Sequence, residues 1–202
     1  MIKISRYLMA LFIILIMMYI FRKNTSKLRI LKTIPAVIVA LTLFIMPFEN
    51  LFIKFDSPQD AFRYTVNGTI IRTVEHENTA LIIYGNESAM KTALIVRDGV
   101  KWKNPFMPVR QKLLYAEECM PNLYEVVTPV LITYEPKSNN AYILVSPPYD
   151  SEISDNMKSV FEKFSVSDIR THFVAYVENF DENYILNINR TDYQILQKMS
   201  RT

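Results

Sequence analysis

The sequence predicts an α+β protein: an N-terminal two-helix transmembrane hairpin followed by an antiparallel β-rich domain with short helices. Three observations predict it. Two apolar runs lie back to back within the first 53 residues. A basic loop with no acid separates them. Beyond residue 55 the chain breaks into short β-branched and aromatic runs between turn residues, and the dozen-residue helices that parallel crossovers need are missing.

The hairpin fills residues 1–54, with spans at about 5–22 and 33–53. Residues 7–21 (YLMALFIILIMMYIF) carry no charge. As a helix they reach about 22 Å at ~1.5 Å per residue, short of a hydrocarbon core of ~30 Å. Arg6 and Arg22 lengthen the span by laying their stems along apolar surface and lifting their charges to the headgroups. From Thr33 to Ile53 only Glu49 is charged, and it falls near the end. Pro35 sits in the first turn, where its missing N–H costs little, and Pro47 lies where the helix kinks or stops. A cleaved signal would begin similarly, but Phe21-Arg22-Lys23-Asn24 offers no small-residue cleavage site and a second apolar run follows.

Charge orients the hairpin. The loop between the runs holds Arg22, Lys23, Lys27, Arg29 and Lys32, whereas Lys54 after the second run faces Glu49 and Asp56. Short loops rich in Lys/Arg stay in the cytoplasm, which places residues 55–202 outside. Residues 55–202 contain 15 Lys/Arg and 19 Asp/Glu, a net of −4, so the overall +3 belongs to the membrane end. A net-acidic domain is a poor partner for nucleic acid. Expected partners are the lipid bilayer and another envelope protein or a cell-wall component.

The outer domain opens with a helix at 57–64. Ser57 is the N-cap, Pro58 takes the first helical position and Asp60 favours the positive end of the dipole. Ala61 and Phe62 turn inward, and the turn residues 65–68 stop the helix. A meander follows: strands at 69–74, 79–84 and 91–97, an Asp98-Gly99 hairpin, and 100–103. Further strands are expected at 111–116, 124–128, 130–134 and 141–145, with Pro121 and Pro129 as interruptions. Met157, Val160, Phe161 and Phe164 have helical spacing and predict a helix over 154–164. A last hairpin joins 170–178 to 184–189 through Phe180-Asp181-Glu182-Asn183, and 192–196 closes the domain. The acidic turns at 75–78 and 178–183 suggest a faint internal repeat of two hairpins.

Asp56-Ser57-Pro58-Gln59-Asp60-Ala61-Phe62, Gly68-Thr69-Ile70-Ile71, Ala80-Leu81-Ile82-Ile83-Tyr84 and Gly99-Val100-Lys101-Trp102-Lys103 carry a resemblance. So do Ala175-Tyr176-Val177 and the stretch from Asn183 to Tyr193. The pattern of an S-P-E-E-A-F-type helix, a hairpin and a G-W-K ending resembles an uncharacterised group of membrane-anchored or lipoprotein-type proteins of Bacillus- and Clostridium-type bacteria. The match covers most of 56–103 and 170–196. Many members have one anchor, whereas this chain has two spans. The resemblance implies an extracytoplasmic, Gram-positive envelope domain and implies no activity.

The chemistry-bearing residues are sparse. His76 and His172 are the two histidines, and Glu75-His76-Glu77 reads as a solvated turn before it reads as a ligand set. Cys119 stands alone, so no internal disulfide forms, and a lone cysteine beside Met120 reads as a small packed residue. Glu117-Glu118 and Asp181-Glu182 are adjacent, which on a strand sends the two carboxylates to opposite faces. Three glycines leave no phosphate-cradling loop, and Gly-x-Ser-x-Gly is absent. Trp102 is expected to close a hairpin core while Lys101 and Lys103 face water. No catalytic, cofactor-binding or metal residue is assigned, and no cofactor. The expected function is a membrane-anchored extracytoplasmic binding or interaction module without catalysis. The alternatives are a two-span protein with a cytoplasmic β domain of bacterial pleckstrin-like layout, and an envelope hydrolase. The hydrolase reading gains ground if His76 or His172 stands beside carboxylates in a cleft, and loses its best support if both lie isolated on the surface.

Overall fold

In the computed structural model, the described residues are 11–12, 15–16, 19, 34, 38, 47–86, 89–119, 125–147, 150–166 and 170–195. The chain divides into two compact units, Met1–Lys54 and Phe55–Thr202. In the first unit Leu11, Phe12, Leu15, Ile16, Tyr19, Ile34 and Ile38 are helical and expose their side chains. No described helix is long and apolar enough to cross a membrane. Most of both expected spans lies outside the described residues. At the far end of the second expected span, Phe48–Leu51 is a single 3-10 turn entered at Pro47, the residue at which a kink or stop is expected.

The second unit begins with α1 (Pro58–Thr65). The Ser57 side chain accepts a hydrogen bond from the Asp60 N–H at 3.1 Å, and Pro58 occupies the first turn. Twelve described strands follow, all paired antiparallel, in three sheets. The first is the expected meander of β1 (Ile70–Glu75), β2 (Thr79–Asn86), β3 (Ala89–Asp98) and β4 (Lys101–Lys103). The second has the order β5 (Gln111–Cys119), β6 (Glu125–Tyr134), β7 (Ala141–Val145), β10 (Thr171–Val177), β9 (Glu162–Ser165). The third is β12 (Thr191–Gln194), β11 (Ile185–Ile188), β8 (Ile153–Asp155).

Strand alternation stacks these elements in layers. On β7, Ala141, Ile143 and Val145 face the third sheet, while Tyr142 and Leu144 face the first. On β2, Leu81 and Ile83 meet the second sheet, while Ala80 and Ile82 meet Ala61 and Phe62 of α1. The layers therefore run helix, first sheet, second sheet, third sheet. Strands covered on both sides read as unbroken apolar runs, which is why Ala80–Ile83-type and AYILV-type segments show no polar alternation. Trp102 is buried against α1, with Arg97 stacked at 5.2 Å from its ring centroid, and Lys101 pairs with Asp56 at 3.0 Å.

Three expectations need correction. Residues 154–164 form no helix: β8, a tight turn and β9 occupy them. A helix would gather the four spaced apolar residues on one face. Instead Val160 is 82% exposed, and Phe161 and Phe164 pack into opposite cores, as strand residues of unlike parity do. The free edge of β10 recruits this segment as β9. Second, Pro129 does not interrupt β6, which runs through it opposite Tyr115. The Pro129 carbonyl accepts from the Ser146 N–H at 3.0 Å, just past the end of β7. The side of the strand lacking a donor therefore faces a point where the β7 ladder has already stopped. Third, β10 and β11 are not a hairpin, since they belong to different sheets. Phe180 and Tyr184, with ring centroids 4.8 Å apart, are buried between the sheets and carry the chain across. The expected repeat of two hairpins goes with it, because only β1–β2 is one.

Gly85 is the glycine the fold depends on. Its φ is +117°, and a Cβ there would stand 2.3 Å from the Ala89 carbonyl oxygen. Gly85→Ala is expected to lose about 2–3 kcal/mol, from backbone strain plus the clash. The check is the unfolding midpoint of the full-length chain in detergent.

Candidate functional site

The polar turn Glu75-His76-Glu77-Asn78 brings His76 to the end of β1, where its N–H donates to the Thr79 carbonyl at 2.8 Å. Across from it, alternation on β10 puts Val174 and Tyr176 on the face toward the first sheet. The β8–β9 turn closes a third side. There Asp155 accepts from the Ser159 N–H through its carboxylate at 2.8 Å and from the Lys158 N–H through its carbonyl at 3.4 Å. Together these elements enclose an open groove of about 580 Å³, with Glu75, His76, Tyr176 and Glu178 on its polar walls and Met157, Lys158 and Val160 on its lip.

His76 and Tyr176 stack, with ring centroids 3.7 Å apart and planes 17° from parallel. The His76 Nε2 stands 3.8 Å from Glu178 Oε1. Glu162 on the same wall is neutralised by Arg72 at 2.6 Å, a pair that ties β1 to β9. Glu75 and Glu178 remain as exposed carboxylates.

Tyr176 is held from behind. Its hydroxyl donates to Glu135 Oε2 at 2.9 Å and accepts from Asn140 Nδ2 at 2.7 Å. Glu135 is 6% exposed, and its carboxylate also accepts from Thr79 Oγ1 at 2.9 Å, Ser138 Oγ at 2.6 Å and Asn140 Nδ2 at 2.9 Å. Burial alone would raise the Glu135 pKa, but the hydrogen bonds from Ser138, Asn140, Thr79 and Tyr176 outweigh it and hold the carboxyl below its ordinary value. Burial, then the hydrogen bond to Glu135 and its charge, pushes the Tyr176 phenol well above its usual range. The Tyr142 phenol is raised mainly by burial, and it donates to the Thr79 carbonyl at 2.9 Å. Both phenols are therefore fixed hydrogen-bond donors at neutral pH.

The structure thus treats the two histidines differently. His76 is brought beside a carboxylate in a cleft. His172 is a core residue, 5% exposed, with Nδ1 2.9 Å from Ser146 Oγ and its ring stacked on Phe164. Glu77 serves the turn, its carbonyl accepting from Arg97 at 3.3 Å. Asp181 caps its own turn by accepting from the Asn183 N–H at 2.8 Å. The side chains of Cys119, Glu117 and Glu118 lie outside the described residues. Among the described residues no three His, Cys, Asp or Glu side chains gather as a metal set, and no hydroxyl or thiol hydrogen-bonds to His76. Covalent nucleophilic catalysis needs such a group within reach of its base.

Sequence reasoning missed Glu135, Tyr176 and Thr79. The available signal was an acid at the end of an apolar run, followed at short range by Ser138 and Asn140, which can fold back on it. A second depression, lined by Asp150, Lys163 and Arg190 among others, is wholly polar, and Lys163 is spent on Asp150 at 2.8 Å. Compared with known families, characterised proteins and solved structures, the chain matches none.

Proposed function

We propose that the chain is a membrane-anchored extracytoplasmic binding module, and that the groove beside His76 takes an extended segment bearing a cation next to an apolar group. The observation that carries this reading is the groove itself. Two exposed carboxylates, Glu75 and Glu178, the latter 3.8 Å from His76, flank a fixed aromatic stack opposite a lip on which Met157 and Val160 bracket Lys158. Its volume of about 580 Å³ falls within the ~300–1,000 Å³ of ligand clefts. Binding fits this geometry better than covalent nucleophilic catalysis, because among the described residues no hydroxyl or thiol is aligned on His76, whereas its carboxylate neighbour Glu178 is the setting that the hydrolase alternative looks for. Anchoring is supported by the exposed apolar residues Leu11, Leu15 and Tyr19, which recur at helical spacing. The loop of five Lys/Arg between the apolar runs and the family resemblance support the outside location.

The test uses the full-length chain in detergent micelles, titrated with a short Lys/Leu peptide and with its Glu/Leu counterpart. The Lys/Leu peptide binds saturably and the Glu/Leu peptide does not. Replacing both Glu75 and Glu178 with glutamine weakens binding about tenfold, the equivalent of ~1.4 kcal/mol. Equal binding of the two peptides overturns the reading. Separately, external protease on intact cells degrades residues 55–202. If it spares them until the cells are lysed, the domain is cytoplasmic.

A further inference from the structure

We propose that β5 is a self-pairing edge: two copies of this chain join β5 to β5, antiparallel about Tyr115, in one sheet continuous across the pair. The four outer edges of the first two sheets are not equivalent. β1 is kinked by a register shift between Ile70 and Arg72. β4 is bridged by Phe55 through Trp102. β9 has four residues. β5 has nine, paired to β6 in unbroken register from Gln111↔Thr133 to Cys119↔Glu125, and among the described residues no strand pairs with its other side. A long, regular edge is a template for another strand. Its surroundings are apolar as well: Leu113 is 51% exposed, Tyr115 54% and Val127 on the neighbouring strand 44%.

Lys112 supplies the register. Its Nζ is shut off from solvent and has no hydrogen-bond partner among the described residues. Buried polar groups are nearly always satisfied, so this amine marks a missing acceptor. Directly opposed residues of an antiparallel pair share a face, so a two-fold axis perpendicular to the sheet must pass through a residue position. An axis through Tyr115 sets position 112 opposite position 118 of the second copy, and position 118 is a glutamate. The same axis sets Leu114 opposite Ala116 and Tyr115 opposite itself. An axis through Leu114 would face Lys112 with Ala116, and one through Ala116 would carry Lys112 past the end of the strand. Only the Tyr115 axis sets an acidic position opposite position 112, twice by symmetry. Burial, followed by the neighbouring Arg110, holds the Lys112 pKa below its ordinary value, the condition that a facing carboxylate relieves.

The experiment uses the full-length chain in native membranes with Cys119→Ser as background. Tyr115→Cys places two cysteines directly opposite, at the ~4.5–5.5 Å Cα separation of opposed strand pairs, which a disulfide spans. Mild oxidation gives a band of twice the chain's mass, several-fold stronger than that from Val100→Cys, a freely exposed position at the β3–β4 turn. Lys112→Glu weakens the Tyr115→Cys band several-fold, and adding Glu118→Lys restores it. A Tyr115→Cys yield no better than that of Val100→Cys overturns the proposal. So does a crosslink only to a protein of another mass, or failure of the charge exchange to restore pairing.

Discussion

Glu135→Ala is expected to cost about 3–5 kcal/mol of folding stability, the range for stripping one partner from a buried ionic network. The substitution removes the acceptor for Thr79 Oγ1, Ser138 Oγ, Asn140 Nδ2 and the Tyr176 hydroxyl together. Each donor left buried without a partner costs about 1–3 kcal/mol unless water replaces the carboxylate. The loss also unpins Tyr176, and with it the ring that fixes His76 in the groove. Glu135→Gln keeps the shape and loses the charge, so its cost falls between wild type and Glu135→Ala. It also isolates the pH dependence. The Glu135 pKa lies below the ordinary 4.5 in the folded state. Its contribution is therefore full above pH ~4.5 and disappears as pH falls through the lower folded value. Unfolding midpoints of the wild-type chain should fall with acidification through that window, and the Glu135→Gln slope should be shallower. Parallel slopes would mean that the carboxylate is not what holds the β6–β7 loop to β2.

Phe62→Ala is expected to cost about 3–5 kcal/mol, as large-to-small changes at aromatic core positions do. Phe62 is fully buried, its ring centroid 4.8 Å from that of Tyr84, in the cluster that α1 shares with Ala80, Ile82, Ile95 and Trp102. An eight-residue helix has little stability of its own in water. Other ties hold it beside the packing of Ala61: Gln59 to Thr73 at 3.2 Å, and Asn104 just past β4, which donates to the Ala61 carbonyl at 2.6 Å and accepts from Thr65 at 3.1 Å. The loss should concentrate locally. Amides of α1 should exchange with solvent far faster than those of β7, while β7 and β10 keep their protection. Uniform acceleration across the domain would mean that α1 is part of the global folding unit.

The parts of this fold that were legible are those fixed by local chemistry. Ser57-Pro58 announced α1 because a cap hydroxyl and a first-turn proline act within four residues. Asp98-Gly99 announced the β3–β4 turn because Gly99 takes φ +67°. Unbroken runs such as TALIIY and AYILV announced buried strands. What failed depended on partners distant in sequence. Nothing near residue 161 reveals that β10 offers an open edge to it, and helical spacing arises by chance in a segment with Val160 in solvent. Nothing near Pro129 reveals that β7 stops one residue short of it. At the groove, His76 was visible as a residue, but its setting was not, because Tyr176 and Glu178 come from a strand a hundred positions later.

The central place of β10 has a consequence for how the chain is made. Ala141–Val145 is zipped to Thr171–Val177, which in turn is the ladder partner of Glu162–Ser165. A polypeptide emerging amino end first from a ribosome or translocation pore therefore carries a half-built sheet, with β7 naked on one flank, until position 177 is free. A product halted at residue 170 would never lose that flank, and quality-control proteases would meet it as an unfinished molecule.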